Sequence, residues 1–115
     1  MPEILVTNRR YPLLGLSREE ALEKIRAALR GRVLQAYVYG SFARDELCPN
    51  SDIDCILVTQ TDAPFPVRGR AFEDLRDILP SLEMLVYTPD EFARLTTDPS
   101  PGFWTSVTRD LTRIL

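Results

Sequence analysis

The sequence contains no histidine and only two cysteines, Cys48 and Cys55. Without histidine, neither a serine–histidine triad nor a histidine-containing zinc site can form, and two cysteines are too few for the usual cysteine-only site. Acid–base chemistry in this chain must therefore depend on carboxylates. We expect both cysteines to be ordinary thiols, with Cys55 packed inside a strand.

Long apolar runs are also absent, since the chain has no 18 uninterrupted apolar residues and its start has no charged leader followed by an apolar segment. These features predict neither secretion nor a membrane span, and we expect a cytoplasmic protein. The formal charge of −3 lacks the basic excess of nucleic-acid-binding proteins, so a nucleic-acid partner is not expected. Arginine makes up nearly all of the 14 cationic residues, which leaves room for local phosphate contacts.

The length of 115 residues, of which 44% are hydrophobic, suits a single domain spanning residues 1–115. Residues 1–16 mix apolar residues with prolines, and their structure stays open. Seven elements are predicted after them: a helix from Ser17, strands at 33–39 and 53–59, a helix with Phe72, Leu75 and Leu79 on one face, a strand at 82–87, a helix from Thr88 to Leu95, and a helix starting near Phe103. Residues 60–67 are expected to be a loop. This order predicts an α/β (α+β) fold with a small sheet covered by helices, in which Phe103 and Trp104 belong to the core.

Gly40 and Ser41 stand at the end of the first predicted strand, and ten residues separate Ser41 from Asp52. Glycine permits a sharp turn and a close approach of the backbone to a phosphate. If residues 42–46 begin a helix, Ser41 lies at its N-terminus, where unpaired N–H groups favour an anion. The pair is therefore a candidate phosphate-binding turn.

Asp52 and Asp54 open the second strand and, being two residues apart, project from the same face. Two neighbouring carboxylates repel each other unless a cation lies between them, and hard oxygen ligands select Mg²⁺ or Mn²⁺. Glu83 is a third acid in an otherwise apolar strand. If that strand lies beside the one starting at Ile53, Glu83 can face the same metal site.

The string GSFARDELCPNSDIDCILV resembles the signature of the DNA polymerase β superfamily of nucleotidyltransferases, and in particular its minimal, single-domain bacterial (MNT-like) members. The resemblance covers roughly residues 22–115 and implies a polymerase β-like fold with a small mixed sheet. It implies that Gly40 and Ser41 bind the nucleotide phosphates, with Ser51 as a further candidate. By the same resemblance, the acids Asp52, Asp54 and Glu83 hold two Mg²⁺ ions, with Mn²⁺ as a substitute, and Glu83 binds the catalytic ion or takes the acceptor's proton.

The activity implied by the resemblance is transfer of a nucleoside monophosphate, most readily AMP from ATP, to a hydroxyl acceptor. The acceptor stays open between a tyrosine on a HEPN-type partner, with this chain as the antitoxin of a toxin–antitoxin pair, and a small molecule such as an aminoglycoside. The acceptor surface is expected to come from another polypeptide or from a homodimer. The alternative function is a catalytically inactive domain of the same fold that binds nucleotide or a partner.

Two residues depart from the family pattern. The third acid of the family is more often Asp, whereas this chain has Glu83. The added methylene of glutamate can shift the carboxylate by about an ångström. The family often has glycine where this chain has Asp45. We expect the preceding residue, Arg44, to be an ion-pair partner rather than a phosphate ligand.

Overall fold

The computed structural model describes residues 13–48 and 51–115. Most of the arm that the sequence left open, up to residue 12, lies outside the described residues. So does the centre of the predicted turn at Pro49 and Asn50.

The described residues form a four-stranded sheet with helices on both faces. The elements are α1 (Arg18–Leu29), β1 (Gln35–Tyr39), α2 (Gly40–Ala43), β2 (Ile53–Val58), a 3₁₀-helix (Phe65–Phe72), α3 (Leu75–Ile78), β3 (Leu82–Tyr87), α4 (Pro89–Thr97), α5 (Phe103–Asp110) and β4 (Thr112–Arg113). The strand order is β3-β2-β1-β4, with β2 and β3 parallel and β1 antiparallel to both β2 and β4. This arrangement confirms the predicted mixed sheet covered by helices.

Two capping boxes fix the starts of α1 and α4. The Ser17 hydroxyl accepts a hydrogen bond from the Glu20 N–H at 3.1 Å, and the Ser17 N–H donates to the Glu20 carboxylate at 2.8 Å. Thr88 and Glu91 repeat the arrangement at 3.3 and 2.9 Å. Because these bonds satisfy N–H groups that the first helical turn leaves free, both predicted helix starts are confirmed.

Each face of the sheet carries its own apolar cluster. One cluster packs α1, α3 and the 3₁₀-helix against the sheet and includes Ile25, Leu29, Val38, Cys55, Leu57, Phe72, Leu75 and Leu79. The other packs α4 and α5 on the opposite face through Ile56, Val58, Phe92, Trp104 and Val107. Cys55 is buried as predicted, and burial raises the pKa of its thiol to about 12. Within the described part of the chain, no helix is both long and apolar enough to cross a bilayer.

The segment between β2 and β3 differs from its prediction. The expected loop over 60–67 becomes helical at Phe65, where the 3₁₀-helix starts, and the expected helix is divided into this 3₁₀-helix and the single turn α3. The predicted apolar stripe of Phe72, Leu75 and Leu79 is nevertheless buried. The predicted burial of these side chains is therefore confirmed, whereas the predicted extents of the loop and the helix were wrong.

The C-terminal segment holds two further differences. Trp104 is 9% exposed and belongs to the core as predicted, but Phe103 is 52% exposed, so its assignment to the core was wrong. After α5 the chain adds the short strand β4, which pairs with β1 and which the sequence did not predict. The helix α5 itself starts at Phe103, where the sequence predicted it.

Candidate functional site

The strand register places Asp54 at the centre of the candidate site. Asp54 is paired with Tyr39 on β1 and with Glu83 on β3. Side chains of directly paired residues project from the same face of a sheet, so these three lie side by side on the face that α4 and α5 cover. The third acid thus lies on the same face as Asp54, next to it on the neighbouring strand.

Three negative charges share this place. Asp52 is exposed and immediately precedes β2, two residues from the half-buried Asp54. Burial raises the pKa of the Asp54 carboxyl above its usual value, and the charges of Asp52 and Glu83 raise it further. The carboxylates therefore repel one another, and a cation bound among them would relieve that repulsion.

Gly40 fits closely against Asp54. Its φ of +73° lies in the left-handed region that L-residues with side chains rarely adopt. A Cβ at this position would lie 3.0 Å from Oδ2 of Asp54, which is shorter than an ordinary contact. Glycine is thus needed both for the turn and for the space that the carboxylate occupies.

Ser41 lies in the one-turn helix α2, which starts earlier and is shorter than the predicted helix over 42–46. The buried ring of Phe42 anchors this turn in the core, while Ser41 is partly exposed. Ser51, the other predicted phosphate ligand, uses its hydroxyl oxygen to accept a hydrogen bond from the Cys48 N–H at 3.1 Å. Ser51 therefore helps to close the connection that leads into β2.

Arg44 connects the glycine–serine turn to α5. Its guanidinium donates to Asp110 at 2.6 Å and to Glu46 at 2.8 Å, which confirms the predicted ion-pair role. The next residue, Asp45, has a φ of +60°. Glycine adopts this conformation freely, and aspartate is one of the few other residues that tolerate it.

The side chains of the three acids are not close enough together to coordinate one metal ion in this structure. In residues 13–48 and 51–115, no three side chains of metal-binding type lie close enough together to hold an ion. Glu83 instead has its Oε1 3.8 Å from Nη2 of Arg76, whose Nε donates to the Leu82 carbonyl at 3.1 Å. The backbone therefore brings the acids together, while the Glu83 side chain is paired with a cation beside them.

Sequence reasoning missed two residues of this site, Tyr39 and Arg76. Burial and the nearby charge of Asp54 raise the pKa of the Tyr39 phenol above its usual value. The ring of Tyr39 also meets the exposed Phe103 edge-to-face, with 6.0 Å between the ring centroids. The position of Tyr39 directly before Gly40 could have indicated that it belongs to the site, whereas nothing in the sequence linked Arg76 to Glu83.

The donor chemistry of the site fits a hard divalent cation. Asp52, Asp54 and Glu83 offer only carboxylate oxygens, which suit Mg²⁺ or Mn²⁺ rather than softer metals. Asp54 lies on β2, Asp52 directly precedes that strand, and Glu83 lies on the parallel neighbour β3. The backbone of Gly40 passes close to the Asp54 carboxylate. Such a site can bind a phosphate-bearing ligand together with its metal ions.

One solved structure shares this fold, and a second is similar to it at a lower score. A crystal structure of a toxin–antitoxin with AMP-PNP matches with a TM-score of 0.57 and 17% sequence identity, over 82% of this chain and 72% of the other. A proposed nucleotidyltransferase from Sulfolobus solfataricus matches with a TM-score of 0.47 and 22% identity, over 79% and 78% of the two chains. Comparison with curated proteins found no match.

Family comparison covers the whole candidate site. The model described as "Polymerase beta, Nucleotidyltransferase" matches residues 23–113, a range that runs from α1 into β4. The match includes the glycine–serine turn, both aspartates and Glu83. The chain therefore belongs to the polymerase beta nucleotidyltransferase family.

Proposed function

We propose that this protein is a Mg²⁺-dependent nucleotidyltransferase that moves a nucleoside monophosphate, AMP from ATP as first choice, onto a hydroxyl acceptor. The observation that carries the proposal is the position of Asp54, which lies between the Gly40 turn on one side and Glu83 on the other. Family membership and the AMP-PNP in a similarly folded toxin–antitoxin structure support the choice of nucleotide.

Each residue has a proposed role. The backbone at Gly40 and the hydroxyl of Ser41 bind the phosphates, and Ser51 supports the turn that presents the acids. Asp52, Asp54 and Glu83 hold two Mg²⁺ ions, and Mn²⁺ can replace them. When bound, the metal neutralises charge on the phosphates and the leaving group.

The transfer itself is an in-line substitution. The acceptor oxygen forms a bond to the α-phosphorus, the bond from that phosphorus to the bridging oxygen breaks, and pyrophosphate leaves. A carboxylate accepts the acceptor's proton, and Glu83 is the candidate because it is exposed at the side of the site. Positioning and charge neutralisation then supply most of the rate acceleration.

The acceptor is proposed to be a protein hydroxyl. A toxin–antitoxin structure with the same fold supports a protein partner for this chain too. The specific proposal is a tyrosine on a HEPN-type toxin, which makes this chain the antitoxin. A tyrosine on a second copy of the chain is the other protein acceptor that the test should include.

A second candidate function is an inactive domain that binds nucleotide or a partner. The observation that favours it is the pairing of Glu83 with Arg76, because the third acid is not available to a metal as long as the arginine holds it. This candidate predicts nucleotide affinity without transfer.

Incubation with ATP labelled at the α-phosphate, Mg²⁺ and candidate partner proteins tests the two functions. An enzyme is expected to label one acceptor, and the Asp54→Asn variant should abolish the labelling. Asp98→Asn is the matched control, because it removes the same charge from an exposed turn beyond α4. This control should label the acceptor normally.

Three outcomes distinguish the candidates. Labelling that needs Mg²⁺ and Asp54 supports transfer. Nucleotide binding without labelling of any partner, including the chain itself, supports the inactive domain. Absence of any Mg²⁺-dependent nucleotide binding contradicts both.

A further inference from the structure

We infer that Arg76 is a positioning residue that competes with the divalent metal for the carboxylate of Glu83. The inference rests on the proposed function, because it requires Glu83 to take part in metal binding. Family membership does not assign a role to Arg76, which lies on the short helix α3 rather than in the signature.

Arg76 is anchored next to Glu83 by the backbone. Its Nε donates to the carbonyl of Leu82, the residue directly before Glu83, at 3.1 Å. A hydrogen bond from a charged donor is stronger than a neutral one, so it fixes the guanidinium at this place. Because β3 is the edge strand of the sheet, its outer carbonyls are open to such a contact.

The Glu83 carboxylate can reach either Arg76 or a metal ion bound beside Asp54. Its strand position faces Asp54, yet its Oε1 lies 3.8 Å from Nη2 of Arg76. Glutamate has one more rotatable side-chain bond than aspartate, so its carboxylate can move without a change in the backbone. Both partners of the ion pair remain about half exposed, at 47% and 55%.

The exposure of the Arg76–Glu83 ion pair determines how strongly Arg76 competes with the metal for Glu83. Exposed ion pairs are weak, and their loss changes an equilibrium by about two- to fivefold. A pair of this strength can hold Glu83 aside in the absence of metal and still release it when Mg²⁺ and a nucleotide arrive. The pairing of Glu83 with Arg76 thus represents the resting arrangement of the site and not an obstacle to catalysis.

The test measures Mn²⁺ affinity by calorimetry in the presence of a non-hydrolysable ATP analogue. Arg76→Gln is expected to tighten Mn²⁺ binding by about two- to fivefold, since Glu83 no longer has a competing partner. Arg70→Gln is the matched control, because Arg70 is exposed and lines the same surface cavity as Arg76. It removes an equal charge and is expected to have a smaller effect.

Arg76→Lys separates the ion pair from the charge. Lysine keeps the positive charge, but it cannot donate to the Leu82 carbonyl and to Glu83 in the fixed geometry of a guanidinium. We expect an affinity between those of the unaltered protein and Arg76→Gln. Thermal denaturation of each variant checks that the fold is retained.

A double-mutant cycle with Glu83→Gln completes the test. In the Glu83→Gln background, Arg76→Gln should change Mn²⁺ affinity no more than Arg70→Gln does. Equal effects of the two arginine variants in the unaltered background, or an undiminished effect of Arg76→Gln without Glu83, would overturn the inference and leave the proposed function standing. A complete lack of Mn²⁺ binding by the unaltered protein would overturn both.

Discussion

Substitution of Gly40 by alanine tests the close fit between the turn and Asp54. Two separate effects are expected. The backbone must keep a φ of +73° with a Cβ present, and that Cβ must find space 3.0 Å from Oδ2 of Asp54. The first effect acts on stability, and the second acts on the position of the carboxylate.

The stability effect follows from the backbone conformation. A left-handed conformation costs a residue with a Cβ about 1–2 kcal/mol, and the lower entropy of the unfolded alanine chain offsets about 0.4–1 kcal/mol. The free energy of unfolding should therefore fall by about 1 kcal/mol, which lowers the melting temperature by about 4 °C in a domain of this size.

The effect on binding follows from the contact. To reach an ordinary contact distance, the Asp54 carboxylate must move by a few tenths of an ångström. Misplacement by about 1 Å can cost about a hundredfold in rate, so a smaller shift is expected to weaken Mg²⁺-dependent binding of an ATP analogue by about tenfold. Calorimetry with and without Mg²⁺ measures this loss.

Gly31 provides the matched control. Its φ of +83° imposes the same backbone strain, but a Cβ there meets nothing within 4 Å. Gly31→Ala should thus lose about 1 kcal/mol of stability and bind the ATP analogue normally. Equal binding losses in both variants, or normal binding by Gly40→Ala, would refute the reasoning.

Two further predictions concern charge and pH. Burial and neighbouring charges raise the pKa of Asp54, so its ionised carboxylate destabilises the folded protein at pH values above the usual pKa of aspartate. Asp54→Asn should therefore raise the melting temperature at pH 7. The gain should vanish once the pH falls below the usual pKa of aspartate. A neutral-pH melting curve without this gain would contradict the electrostatic argument. Arg68 pairs with Glu91 and lowers the pKa of that carboxyl to about 2, so their stabilisation is present above the usual glutamate pKa and is lost as the pH falls towards 2. Arg68→Gln should lower the melting temperature at neutral pH, and its denaturation curves should show less loss of stability between about pH 5 and pH 2 than the unaltered protein; an unchanged acid profile would count against it.

The sequence could name most residues of the candidate site because its signals are local. Alternation along a strand sets which face Asp54 occupies, and the isolated charge of Glu83 in an apolar strand marked it as unusual. Placing β3 beside β2 needed the family resemblance, because nothing in either strand specifies its neighbour. The pairing of Asp54 with Glu83 in the structure agrees with that placement.

The remaining features depend on tertiary contacts that a sequence pattern does not contain. Helical spacing groups Phe103 with core residues, but Phe103 is the first residue of α5 and its side chain stays 52% exposed. The two residues of β4 are too few to show a period, and pairing with β1 alone defines them as a strand. Arg76 reaches Glu83 only because the fold brings its guanidinium to the start of β3, where it donates to the Leu82 carbonyl.

The most direct test of the central claim is a crystal structure with Mn²⁺ and a non-hydrolysable ATP analogue, using anomalous scattering to locate the metal. The account predicts Mn²⁺ about 2.0–2.3 Å from carboxylate oxygens of Asp52 and Asp54, with phosphates beside Gly40 and with Glu83 released from Arg76. A nucleotide bound elsewhere, or Mn²⁺ bound without contact to either aspartate, would contradict it.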